Sequence, residues 1–186
     1  YSCKVANDEF GEIFLSDLNK AGIDCIEQNH NQSGVTGKCL VLISPDAERS
    51  MNTHLGISES LSAEQIDPEA LAASEYLYLE GYLVTSDTGR QAAIKAREIA
   101  EQYGVKTALT LSDPGMVQFF KEGLQAMIGE RVNLLFCNEA EAKGWAETDD
   151  LDTAIEALKN IADTFSITLG AKGALIYDGE QLIEIS

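Results

Sequence analysis

Polar and apolar positions along the chain follow two different periods, and the order of the segments predicts an architecture. Over 8–24, "DEFGEIFLSDLNKAGID" sets Phe10, Ile13, Phe14 and Leu18 on one face of a helix, with Gly22 as its stop. The period then shortens. Residues 36–56, "TGKCLVLISPDAERSMNTHLG", read as two extended runs around a Pro45-Asp46 turn, which predicts a hairpin. "SAEQIDPEALAAS", 62–74, predicts a short helix with Ser62 as its cap.

From residue 75 onward strand and helix alternate. "EYLYLEGYLV" predicts a strand over 75–84, and "TGRQAAIKAREIAEQYG" a helix over 88–104 with Ala92, Ala96, Ile99 and Tyr103 inward. "VKTALTLS" is the next strand and "PGMVQFFKEGLQAMI" the next helix, opened by Pro114. "VNLLFC" is a strand, "NEAEAKGWA" a short helix and "LDTAIEALKNIAD", 151–163, another, with Ala154, Ile155, Leu158 and Ile161 inward. "TFSITLG", "KGALIYDG" and "QLIEIS" end the chain as strands, the last two paired through Asp178-Gly179. Strands joined by helices imply right-handed crossovers and a mostly parallel sheet. Helices are expected on both of its faces, which lets a strand such as "VNLLFC" be apolar throughout.

Composition narrows the function. The chain has 186 residues, 45% hydrophobic and 24% charged, ordinary values for a globular domain. Its formal charge of -18 excludes a nucleic-acid partner, which needs clustered Lys and Arg. No apolar run is long enough for a bilayer, and the first residues lack the features of a signal peptide. Cys3, Cys25, Cys39 and Cys137 show no metal-ligand spacing, so they are expected to be reduced, buried thiols of a cytoplasmic protein.

In sheets of this kind, ligands bind beyond the carboxyl ends of the strands. Those ends read "EGY" after Leu79, "SDPG" after Leu111 and "NEAE" after Cys137. Asn138 and Glu141 have a bland reading as a helix cap and first-turn acid. They have a functional one too, with Asn138 fixing a water or phosphate and Glu141 the hydration shell of Mg²⁺. "TLGAKG", 168–173, is either a tight turn or a place where backbone N–H groups of a glycine pair and the Thr168 hydroxyl meet an anion. Arg49 either pairs with a surface carboxylate or serves a site. His30 and His54 have no partner at metal-ligand spacing and receive no role.

In sequence order these pieces resemble a family. "NEAEA" after an apolar strand, with "TLGAKGALIYDG" some 30 residues later, is similar to the ribokinase/PfkB carbohydrate kinases. "ERSMNTHLG", "YLEGYLVTS", "LTLSDPGMVQFFKEGL" and "VNLLFCNEAEA" look most like the adenosine kinases of that family, and the similarity runs through nearly the whole chain. The resemblance implies a ribokinase-like α/β fold with a small β lid hairpin. A nucleotide-binding core over 1–23 and 57–186 would carry a lid over 24–56, through which a homodimer can form. It also implies ATP-dependent phosphoryl transfer to a nucleoside or sugar hydroxyl, with Mg²⁺.

By position, Asn138 and Glu141 match the family's N-x-x-E motif for phosphate and metal. Thr168, Gly170 and Gly173 match its nucleotide-binding turn, and Arg49 matches an Arg reaching the transferred phosphate from the lid. Glu80, Gly81, Tyr82 and Asp113 match the acceptor pocket. The family's G-A-G-D motif, with its general-base Asp, and its N-terminal glycine motif have no counterpart here. The chain therefore reads as a central portion, inactive by itself. Where adenosine kinases place an aromatic after the Pro matching Pro114, this chain has Gly115, which keeps a sugar acceptor open.

Overall fold

The computed structural model describes residues 1–25, 33–46 and 49–186. His30 and part of the expected lid segment lie outside the described residues. Two compact units divide the chain, Tyr1–Asp67 and Pro68–Ser186.

The first unit holds α1 (Glu9–Lys20) and an antiparallel pair, β1 (Lys38–Ile43) and β2 (Arg49–His54), in the register Ile43 opposite Arg49 and Lys38 opposite His54. Asp8 caps α1, its carboxylate accepting from Gly11 N. That carboxylate also accepts from the backbone and hydroxyl of Thr36, tying the helix start to the segment before β1. The α1 stripe is not a core face: Phe10, Ile13 and Phe14 are 50%, 51% and 37% exposed. Both strands of the hairpin are exposed along their length, because a two-stranded ribbon has no second layer against which to bury. For the same reason Cys39 is exposed, against expectation, while Cys3 and Cys25 are half-buried and Cys137 alone is buried.

In the second unit six strands form one sheet in the order β3 (Tyr76–Glu80), β4 (Lys106–Thr110), β5 (Val132–Asn138), β6 (Ala162–Thr168), β7 (Ala174–Tyr177) and β8 (Leu182–Ile185). The first four are parallel, and β6–β7 and β7–β8 antiparallel. Between them run α3 (Asp87–Tyr103), α4 (Pro114–Ile128), α5 (Glu139–Ala146) and α6 (Leu151–Leu158), preceded by the short α2 (Pro68–Ala72). Ser86 caps α3 and Gly104 ends it at φ 70, which glycine adopts without steric cost.

Within this unit the helices that connect the parallel strands lie on one side of the sheet. Its strands are consecutive in chain order, so every right-handed crossover moves the same way and sets its helix on the same side. The row Leu79, Leu109, Leu135 and Phe165 is buried beneath α3–α6, at 4%, 0%, 0% and 0% exposure. Tyr78 and Phe136, which point the other way, are 51% and 38% exposed. "VNLLFC" is thus apolar on both faces but deeply buried on one.

Three boundaries also shift. β3 stops at Glu80 and residues 81–85 turn as a 3-10 helix, whose first residue, Gly81, lies too close to Thr110 O for any side chain. α6 ends at Leu158, and Ala162 and Asp163 belong to β6, where Ala162 pairs with Val132. A short apolar run fits either period, and strand pairing decides between them. Tyr103, on the last turn of α3, is 56% exposed and not inward.

Candidate functional site

The β5–α5 junction is a capping box. Glu141 N donates to Asn138 Oδ1 at 2.8 Å, and the Glu141 carboxylate accepts from Asn138 N at 3.0 Å and from Asn138 Nδ2 at 2.7 Å. The helix-cap reading is therefore satisfied in full. It does not account for the burial. Glu141 is 4% exposed, and burial first, then the neighbouring charge of Asp113, push its carboxyl above the usual range against the pull of the Asn138 backbone. A cap acid at a helix start is ordinarily solvated. One held in a dry place beside a second acid is a place where a cation lowers the energy.

Asp113 reaches that position from β4. After Leu111 the chain turns through Ser112 at φ 70, and the Asp113 carboxylate accepts from Gly115 N at 2.7 Å to cap α4, with Pro114 as first helical residue. A Cβ at Gly115 would stand 2.8 Å from Asp113 Oδ1, so a side chain there would crowd this cap. Tyr82, from the turn after β3, donates to Ser112 O at 3.4 Å, and Gly81 packs on Thr110 O and Ser112 Oγ. Glu80 is paired in register with Thr110 at the strand ends.

The glycine turn meets the same rim. Asn138 and Thr168 are direct partners at the ends of β5 and β6. Beyond Thr168, residues 170–172 form a 3-10 turn, closed by Leu169 N donating to Gly173 O at 2.8 Å. The two glycines differ. Gly170, at φ 61, has open space where a side chain would begin. Gly173, at φ 95, would put a Cβ 1.8 Å from Ile185 O, so the β7–β8 hairpin itself requires glycine there. Lys172 and Lys143 both act on Glu139: the hydrogen bond from Lys143 Nζ, 2.6 Å, holds its carboxyl below the usual range, and the charge of Lys172 adds to this.

Asn138, Glu141, Thr168, Gly170 and Asp113 are thus brought to one end of the sheet, with Glu80, Gly81 and Tyr82 at its β3 side. Arg49 stands exposed at the start of β2 in the first unit. Sequence reading passed over Lys172 and Lys143. Their signal was the Lys inside "TLGAKG" and the i,i+4 spacing of Glu139 and Lys143. Among the described residues no cluster of three or more His, Cys, Asp or Glu could hold a metal. Two carboxylates match the way Mg²⁺ is held, by few protein groups, water and phosphate.

The profile of the pfkB family carbohydrate kinases matches residues 1–186, and the chain belongs to that family. Guanosine-inosine kinase of Escherichia coli K12 is 32% identical over 129 residues, 67% of this chain and 30% of that protein. The structure of adenosine kinase from Sinorhizobium meliloti aligns at TM-score 0.93 and 31% identity, over 100% of this chain and 57% of that one. A probable sugar kinase from Rhizobium etli aligns at 0.91 and 29%, over 98% and 56%. The chain spans less than a third of the curated relative and somewhat over half of these solved neighbours. The ribokinase-like fold, with its mostly parallel sheet and separate antiparallel hairpin, is established by the first alignment.

Proposed function

We propose that the polypeptide carrying this chain transfers the γ-phosphoryl of ATP to a hydroxyl of a nucleoside, with adenosine as leading acceptor. One observation carries the reading: the pairing of Asn138 with Thr168, which puts a buried Asn–Glu capping box and a glycine turn on one rim. Phosphoryl transfer asks chiefly for positioning and charge stabilisation, and this arrangement supplies both. N–H groups of the open turn at Gly170 and the Thr168 hydroxyl face the phosphates. Gly173 keeps the turn in shape by admitting the β8 backbone. Asn138 orients Glu141, and Glu141 with Asp113 would hold Mg²⁺ through its water shell. The metal, when bound, neutralises phosphate charge, which a protein of net charge -18 otherwise repels.

Glu80, Gly81 and Tyr82 with Asp113 border the acceptor pocket. Arg49, on the described part of the 24–56 lid, stabilises charge on the transferred phosphoryl, and the lid is the surface for a homodimer. The setting is the cytoplasm; no helix among the described residues is long and apolar enough to cross a membrane. Nucleoside acceptors are favoured by the similarity to an adenosine and a guanosine-inosine kinase, both near 30% identical.

Gly115 favours a second reading, a sugar such as ribose or fructose, because no side chain there can stack on a base. Turnover of adenosine, guanosine, inosine, ribose and fructose with ATP, with and without Mg²⁺, tests the proposal. Metal-dependent turnover of adenosine is expected. Turnover of ribose or fructose with none of any nucleoside would overturn the nucleoside reading. Calorimetric binding of Mg-ATP without turnover of any acceptor would leave a nucleotide-binding module.

A further inference from the structure

Cys3 and Cys25 lie 22 positions apart in sequence, yet their Sγ atoms are 3.5 Å apart. The approach is built into the backbone around them. Tyr1 N donates to Asp24 O at 2.7 Å, aligning residues 1–3 with residues 23–25. On its other side the first segment is held by Ser2 Oγ donating to Gln65 O at 2.6 Å and by Ser58 Oγ donating to Lys4 O at 3.0 Å. At the far end of the enclosed loop, α1 closes on Ile23 through its N–H to Leu18 O at 2.9 Å. Both thiols are half-buried, so a small oxidant reaches them without unfolding. Cys39 is exposed on β1, where Thr53 Oγ1 donates to it, and Cys137 is buried. This is a pre-aligned pair, and neither residue belongs to the set named in the proposed function.

We propose that Cys3 and Cys25 are a reversible dithiol, a modification site that closes to an intramolecular disulfide when met by a small-molecule disulfide such as oxidised glutathione. The sulfurs need to approach by only about 1.5 Å to reach bonding distance. The Cys25 thiolate attacks one sulfur of the oxidant, forming a mixed disulfide and expelling one glutathione thiolate. Cys3 Sγ, having lost its proton to solvent, attacks Sγ of Cys25 and expels the second. Two cysteine thiols lose two electrons and two protons, and one oxidised glutathione becomes two reduced ones.

Cys3 is the resolving sulfur. In the open dithiol, burial first, then the hydrogen bond and charge of Cys25, push the Cys3 thiol up to about 12; once Cys25 carries the mixed disulfide, burial alone still keeps the Cys3 thiolate scarce at neutral pH. Closure is therefore slow near neutrality and quickens as pH rises. The closed form would clamp the ends of the loop that contains α1.

The test is to incubate the chain with oxidised glutathione, then count free thiols and map the peptides without reduction. In the Cys39→Ala chain, which removes the exposed thiol that would itself take up glutathione, the expected result is loss of two of the three remaining thiols, a mass lower by two hydrogens, and a Cys3–Cys25 cross-linked peptide, all reversed by dithiothreitol. The unsubstituted chain should show the same cross-linked peptide, and Cys3→Ala should strand a glutathione adduct on Cys25. The map of the unsubstituted chain decides even if Cys3→Ala fails to fold. A stable glutathione adduct on Cys25 of the unsubstituted chain, four intact thiols, or cross-links made only through Cys39 would overturn the proposal. None of these outcomes bears on phosphoryl transfer, so the two proposals fail separately.

Discussion

Glu141 caps α5, and in the proposed function it also serves the metal; one substitution separates the two. Gln can still accept from Asn138 N and so complete a capping box, but its Nε2 would face the Asn138 Nδ2 donor, so Glu141→Gln keeps the first turn of α5, loses one of the two carboxylate hydrogen bonds and removes a buried charge. The lost bond and the removed charge oppose each other, so its unfolding midpoint should shift little. Under the proposed function, turnover should fall and the Mg²⁺ requirement rise, each by on the order of tenfold to a hundredfold. Steady-state rates over a Mg²⁺ series check this, and an unchanged dependence would return Glu141 to the cap alone. The pH sign follows from burial and Asp113, which raise this carboxyl above its ordinary 4.5. Protonation thus favours the folded state: the stabilising contribution is complete below 4.5 and lost as pH rises through the higher folded value. Under the proposed function Mg²⁺ competes with that proton, so calorimetric Mg²⁺ affinity should weaken as pH falls into the mildly acidic range.

Caps were the most legible elements, because they depend on a few neighbouring residues. Asn138 and Pro114 stand where their local sequence places them, while Ser62 caps only a 3-10 turn, Ala63–Gln65, that ends before α2 instead of one helix over 62–74. Asn138→Ala should cost about 1–2 kcal/mol in denaturant unfolding, and somewhat more if the Glu141 carboxylate finds no other donor. Asp8 shows a cap with a tertiary partner. The Thr36 hydroxyl first, then the N–H groups of Thr36 and Gly11, hold its carboxyl down from 3.8 to about 2. Its stabilisation is complete above 3.8 and is lost as pH falls through about 2. Acid titration of Asp8→Asn, followed by circular dichroism, should lack that step. The ends of β3 and α6 were not legible. Gly81, where β3 gives way to a turn, packs on the carbonyl of Thr110, and β6 begins where Ala162 pairs with Val132; both partners lie roughly thirty residues away in sequence.

Across the whole molecule, a charge of -18 means that an anionic substrate is held by local groups, not by the general field. Arg49 is one such group in the proposal. Arg49→Ala should lower turnover by on the order of tenfold or more while leaving the thermal midpoint unchanged, because an exposed hairpin position carries little packing. A parallel loss of stability and rate would count against it. The sequence by itself determined the α/β class, the succession of elements and the family likeness, because periodicity, caps and turn residues are local properties written into neighbouring positions. Tertiary structure alone decided that the helices of the sheet share one side, that the α1 stripe and Cys39 lie open, and that Gly173 answers to Ile185. It also decided that Glu141 is buried beside Asp113 and that two thiols distant in sequence face each other. Each of these depends on which distant segments lie side by side, and pairing across the sheet and packing against it settle that.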